Sequence, residues 1–162
     1  MRRLYFSPGM ETELLIELLP WERARELASP IRFQVFVREQ RVPPEIELDD
    51  MDARCIHAVA FLEKLPVGTG RLLPDGHIGR MAVLKSHRNR GIGAAMLERL
   101  IAAARERGER EVALSAQVHA VPFYRAHGFV EEGAEYEEAG IAWCAMPASS
   151  YSAPSSTNPC AR

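Results

Sequence analysis

Residues 81–94, Met-Ala-Val-Leu-Lys-Ser-His-Arg-Asn-Arg-Gly-Ile-Gly-Ala, restrict the fold more than any other stretch of the chain. An apolar run enters a short basic turn. Two glycines spaced by one residue then open a long amphipathic pattern, with Ile92, Ala95, Met96, Leu100 and Ala103 recurring at helical spacing. A strand that turns directly into a helix leaves the helix's first amides without intrahelical partners, and the helix dipole adds partial positive charge there. Such an end suits an anion, phosphate above all. Gly91 and Gly93 let the backbone approach the ligand closely, and Arg88 and Arg90 are placed to add charge-assisted hydrogen bonds. No Gly-Lys-Ser/Thr follows, so this is not a P-loop, and the full GxGxxG of a dinucleotide fold is missing. An isolated Gly-x-Gly would signify only a flexible helix start; the flanking strand and helix favour an anion site.

The rest of the chain supplies the frame. Residues 12–19 read as a strand ended by Pro20, and 21–28 and 30–40 as two helical pieces, the second capped by Ser29-Pro30. The proline- and acid-rich segment 42–52 is expected to be irregular, an ordered loop or a flap. Runs at 56–64, 67–73 and 78–84 have the pattern of an antiparallel meander. A helix is expected over 91–107, a strand over 112–116 and a short helix over 121–127. The last strands are expected at 129–130 and 141–146, with an acidic hairpin or loop between them. This predicts an α/β (α+β) chain with one domain over 1–147 and a disordered tail over 148–162, where little can be buried.

Composition excludes some classes of function. A net charge of -2 gives no general reason to expect nucleic acid or an anionic membrane as partner. No apolar stretch reaches the roughly 20 residues that span a bilayer, and no signal peptide follows Met1-Arg2-Arg3. Cys55, Cys144 and Cys160 are scattered without a CxxC pair, so no metal site or disulfide framework is expected. Buried inert thiols in a reducing, cytoplasmic setting are the expectation.

The turn Arg88-x-x-Gly91-x-Gly93 after Ile78-Gly-Arg-Met-Ala-Val83 resembles motif A of the GNAT acetyltransferase superfamily. Ala116-Gln117, Phe123-Tyr124 and His127-Gly128-Phe129 resemble its motif B. The run Val35-Phe36-Val37-Arg38-Glu39-Gln40-Arg41-Val42-Pro43, followed by Glu45, Glu47, Leu48, Asp49 and Asp52, resembles the ElaA-like branch. The resemblance covers roughly residues 12–146 and implies the GNAT fold. That is a central mixed, mostly antiparallel sheet of about six to seven strands flanked by about four helices. It implies acetyl-CoA as acyl donor, lying where the strand over 78–84 parts from the strand over 112–116. Main-chain groups of Met81, Ala82 and Val83 would pair with the pantetheine arm. The pyrophosphate would rest on Arg88, Asn89, Arg90, Gly91, Ile92, Gly93 and Ala94, with further contacts from Gln117, Phe123 and Tyr124.

The same resemblance makes Tyr124 the general acid, since amine attack on a thioester expels a thiolate that a phenol can protonate. Its structural alternative is an aromatic packed between helix and sheet. The acceptor would be a small primary amine or an exposed amino group, and the base that deprotonates it is open among Glu39, Glu47, Asp49, His77 and His119. His57 and His87 are expected to be structural or exposed. Arg71 and Arg80 either bind an acidic group of the substrate or pair with carboxylates of the 45–52 loop. Glu39, Arg71, Arg80 and Trp143 are the residues expected near the acceptor. Trp143 stands where the ElaA-like branch often has histidine, and Gln117 where many GNAT proteins have asparagine. A non-catalytic acyl-CoA-binding module is the alternative on the same fold. The family often dimerises, and the oligomeric state stays open.

Overall fold

The computed structural model describes residues 2–7 and 10–150. They form two compact units. One comprises the residues up to Pro74 together with Ile78–Leu100; the other comprises Asp75–His77 and the residues from Ile101 onward.

The first unit carries an antiparallel meander in chain order: β1 (Arg2–Ser7), β2 (Met10–Pro20), β3 (Ile56–Leu62), β4 (Leu65–Leu72) and β5 (His77–Val83). Glu63 and Lys64 join β3 to β4 with φ of 50° and 70°, the left-handed pair of a type I′ hairpin. The turn therefore precedes Leu65 and Pro66, which belong to β4 instead. Pro66 is accommodated beside a register shift between Ala60 and Phe61, where a ladder donor is dispensable.

Both faces of this sheet are covered. Helix α1 (Trp21–Arg32) packs Ala24 against Leu19 and Val59. Helix α3 (Ile92–Glu106) sets Ile92, Ala95 and Met96 against Leu14, Ala60, Leu62 and Val67 on the other. Sequence periodicity located α3 well, because its apolar stripe coincides with its buried face.

The two helical pieces expected at 21–28 and 30–40 are joined. Pro30 lies inside α1, and the chain continues through Phe33–Glu39 as a π-helical turn. Ser29-Pro30 is thus no N-cap. The proline denies Glu26 its helical partner, but both residues face water, which can satisfy the free carbonyl. Burial of Ala28, Ile31 and Val35 outweighs the break. Helix α2 (Pro44–Glu47) and a 3₁₀ turn at Asp52–Arg54 order the segment expected to be irregular.

The second unit pairs β6 (Glu111–Gln117) with β8 (Ile141–Ser149), and β8 with β7 (Glu132–Glu138), all antiparallel. The short helix α4 (Val121–Arg125) precedes Gly128, whose φ of 90° lets the chain turn toward buried Phe129. The strand expected at 129–130 lies instead at 132–138, within the acidic stretch. Every residue of β7 is exposed, so hydrophobic alternation gave no signal for it. Ala139 and Gly140, both at positive φ, make its hairpin to β8.

Strand β8 also runs two residues past Pro147, and Ser150 is buried with its hydroxyl donating to Glu109 O at 2.8 Å. Residues 148–150 therefore belong to the fold and not to a tail; 151–162, with Cys160, lie outside the described residues. The α/β class with four helices is as expected. The described residues carry eight strands against the six to seven expected: β1 was not anticipated, and β7 is the one that hydrophobic patterning misplaced.

Candidate functional site

The glycine turn expected to hold phosphate belongs wholly to the first unit. Leu84 N–H donates to Val67 O at 2.9 Å, holding the end of β5 to β4, and a 3₁₀ turn follows at Lys85–His87. Asn89 and Gly91 then take φ of 62° and 79°. The first bond of the α3 ladder runs from Ala95 N–H to Gly91 O at 3.1 Å, so the amides of Ile92, Gly93 and Ala94 precede that ladder. A Cβ built on Gly91 meets nothing within 4 Å, so open space lies over the turn. Left-handed residues at 89 and 91 and the start of a fifteen-residue helix make a concave set of amides suited to phosphate oxygens. The residues present therefore fit a pyrophosphate.

Arg88 makes side-chain contacts within the chain that its motif position does not announce. Its Nε–H donates to Val83 O at 2.9 Å and its Nη2 to Glu39 Oε2 at 2.8 Å. The side chain ties the end of β5 to the π turn and so shapes the loop. Glu39, expected near the acceptor, is the other half of this strut. Arg90 is exposed at the loop's edge. A cleft of about 420 Å³ lined by Gln34, Glu39, Leu84, Lys85 and Ser86 adjoins the loop. A larger groove of about 540 Å³, with Phe33, Val37, Pro44 and Leu48 on its walls, contains none of the residues expected to bind the cofactor.

Strand β5 is bulged just before the segment expected to meet the pantetheine. Thr69 pairs with Ala82 and Arg71 with Gly79, so Arg80 and Met81 together face Gly70. Arg80 takes a left-handed φ of 49°. Gly70 permits this: a Cβ there would collide with Met81 Sδ and stand 3.1 Å from Leu100 Cδ1. Met81 consequently packs toward α3, while Ala82 joins Ile31, Val35 and Phe36 on the opposite face.

The bulge re-aims Arg80 toward the 46–49 loop, where a charge network is buried. Arg32, Asp52 and Arg71 have side chains only 2%, 4% and 7% exposed. Asp52 Oδ1 accepts from Arg32 Nη1 at 2.8 Å and from Arg71 Nη1 at 2.9 Å. Glu47 pairs with Arg32 Nε, and both Asp49 oxygens accept from Arg71 at 2.8 Å. The Arg71 hydrogen bonds, with its charge and that of Arg80, hold the Asp49 carboxyl at about 2 against the opposing effect of burial. Neither Asp49 nor Glu47 is then free to serve as a base. His57, also buried, reaches Asp52 O at 2.9 Å and stacks on Trp21; burial keeps its pKa below the usual histidine value. His77 pairs with Asp75 at 3.0 Å on the surface, His87 meets Ser86 Oγ at 2.9 Å, and His119 is exposed.

The loop-pairing alternative for Arg71 thus holds. Sequence reasoning missed Arg32, with which Arg71 shares Asp52. An arginine on the apolar stripe of Ala24, Ala28, Ile31 and Val35 was the available signal, since a buried arginine needs acids and the 47–52 loop supplies them.

In the second unit Tyr124 sits on α4, its ring 5.0 Å from Phe123 and 6.0 Å from Phe129. Burial pushes its phenol up to about 12, so it is protonated throughout the physiological range. Trp143 on β8 stands in register between Gln117 on β6 and Tyr136 on β7. Its indole N–H approaches Glu138 O at 3.4 Å, and Tyr136 donates to Ser115 Oγ at 2.7 Å. Tyr136 and Ser115 were not anticipated, being an aromatic in an acidic run and a serine in a strand. Cys55 and Cys144 are buried free thiols, as expected, and among the described residues no group of acids, histidines or cysteines is arranged to hold a metal. No helix among them is long and apolar enough to cross a membrane.

Comparison with known proteins agrees with the fold. The family model for the acetyltransferase (GNAT) domain matches residues 28–149. The uncharacterized N-acetyltransferase YjcF of Bacillus subtilis is 42% identical over 115 residues, covering 68% of this chain and 82% of that protein. Among solved structures, an acyl-CoA N-acyltransferase from Pseudomonas aeruginosa superposes with a TM-score of 0.72 at 28% identity, over 85% of this chain and 99% of that one. Escherichia coli ElaA shares the fold with a TM-score of 0.75 at 24% identity, over 83% and 99% of the two chains.

Proposed function

Because the chain belongs to the GNAT acetyltransferase family, we propose that it transfers an acetyl group from acetyl-CoA to the primary amine of a small molecule by direct attack. The observation that carries this reading is the loop from Asn89 to Ala94, with its paired left-handed residues, open space over Gly91 and unladdered amides. These amides would hold the pyrophosphate, Arg88 would keep the loop in shape, and main-chain groups of Met81 to Val83 would align the pantetheine arm as an added strand. When bound, the donor supplies an acyl thioester, whose carbon takes the amine nitrogen as the carbon–sulfur bond breaks.

Tyr124 offers its proton to the leaving sulfur. A phenol at about 12 is a weaker acid than a thiol near 8.5. Its contribution is therefore a hydrogen bond with partial transfer as charge develops on sulfur. The amine must first lose a proton, since alkylamines are charged at neutral pH. With Glu39, Glu47 and Asp49 all paired with arginines, His77, His119 or solvent takes it.

Gly91→Asp tests the cofactor assignment. A Cβ at 91 meets nothing within 4 Å, and aspartate bears the strain of left-handed backbone better than most residues, so the variant should fold. Its carboxylate would lie beside the pyrophosphate, and acetyl-CoA affinity should fall at least about tenfold, roughly 1.4 kcal/mol. Undiminished affinity in the folded variant would remove the loop from the site.

A further inference from the structure

Three arginines and three carboxylates meet beside the β5 bulge, and the acids are not evenly shared. Glu47 serves Arg32, Asp49 serves Arg71 with both oxygens, and Asp52 bridges Arg32 and Arg71. Among the described residues Arg80 has no carboxylate to itself, sharing Asp49 with Arg71. Its Nη2 makes three contacts, all at 3.3 Å, to Ile46 O, Glu47 O and Asp49 Oδ2. Its Nε lies 3.9 Å from Glu47 Oε1, beyond hydrogen-bond distance, and, like Arg71 Nε, is a buried donor with no hydrogen-bond partner among the described residues. Buried donors are seldom left unpaired without cause.

The residue is nonetheless reachable. Its side chain is 29% exposed, whereas that of Arg71 is 7% exposed. It occupies the left-handed position of the bulge, a conformation that costs energy and re-aims a side chain. It also immediately precedes Met81–Val83, the segment assigned to the reacting arm of the donor. Burial and the neighbouring Arg71 charge both push its pKa below the ordinary arginine value, the signature of a guanidinium short of negative charge.

We propose that Arg80 binds a carboxylate carried by the acceptor, so that the substrate class is an amino acid or another amine bearing an acid group. The inference rests on the acyl-transfer reading and names its acceptor. A guanidinium presents donors in the geometry of a carboxylate, and the exposed part of the Arg80 side chain is what an acceptor can reach. Arg71 acts differently: it is a positioning residue that fixes the loop against which Arg80 is braced.

The test uses the full chain with acetyl-CoA and matched acceptor pairs that differ by the carboxylate: glycine and methylamine, leucine and isoamylamine, phenylalanine and phenethylamine. CoA release should show kcat/KM at least about tenfold higher for the acid-bearing member of a pair, the value of a charged hydrogen bond. Arg80→Gln should erase that ratio chiefly through KM, while Arg80→Lys, which keeps charge without the fork, should fall between. In parallel, the Arg80 Nε–H resonance in ¹⁵N-labelled protein should shift with N-acetylglycine and not with N-methylacetamide.

Preference for the decarboxylated member, or an unchanged ratio in Arg80→Gln, would overturn the proposal while leaving acyl transfer intact. So would acetyl-CoA binding without transfer to any pair and without movement of the Arg80 resonance. Absence of acetyl-CoA binding would instead overturn the acyl-transfer reading itself.

Discussion

Asp52→Ala is expected to destabilise the protein by about 3–5 kcal/mol, the cost of breaking a buried ion pair from one side. Asp52 is the carboxylate that Arg32 and Arg71 share, at 2.8 and 2.9 Å, and all three side chains are more than nine-tenths buried. Its removal leaves two guanidinium groups facing each other with Glu47 and Asp49 as the remaining counter-charges. Water cannot enter freely to compensate, which is why the penalty exceeds that of an exposed pair, about 0–1 kcal/mol. Asp52→Asn keeps the shape and one acceptor and should lose less. Equilibrium urea unfolding of the three proteins measures this directly. A loss under about 1 kcal/mol for Asp52→Ala would mean that the network is solvated and does not brace the loop.

Tyr124→Phe should lower kcat by about 10²-fold, the weak end of the range for general acid catalysis. The low end is chosen because burial makes the phenol a poorer acid, pushing it up to about 12. The corresponding rise in barrier is about 2.7 kcal/mol. KM for acetyl-CoA should change little, because the hydroxyl would act on charge that appears only as the carbon–sulfur bond breaks. For the wild type, the phenol should contribute no falling limb to the rate near pH 10, where an ordinary tyrosine titrates. An unchanged kcat in Tyr124→Phe would leave Tyr124 as a packing partner of Phe123 and Phe129.

The chain announces part of this architecture and conceals the rest, for physical reasons. Helix α3 is legible because one face is buried and the other solvated, so its apolar period is that of the helix. The glycine turn is legible because φ near 79° selects glycine. Strand β7 is hidden, being exposed along its whole length, and the continuity of α1 past Pro30 is hidden because tertiary burial overrides a local break. The buried charge network lies between these cases. Acids in the 45–52 loop and arginines at 71 and 80 were visible as possible partners. Which arginine each acid takes depends on register and on the bulge at Arg80, which is set by contacts of Gly70 that no local pattern encodes. Arg88 shows the converse: its motif position was legible, but its contacts to Val83 O and Glu39, at 2.9 and 2.8 Å, were not.

The measurement that bears most directly on the central claim is calorimetric titration of the full chain with acetyl-CoA, using free CoA as the comparison and Gly91→Asp as the control. Saturable one-site binding of both ligands, weakened at least about tenfold in the variant, is the predicted result. Absence of binding by a folded sample would contradict it, reducing the turn from Arg88 to Gly93 to the start of a helix.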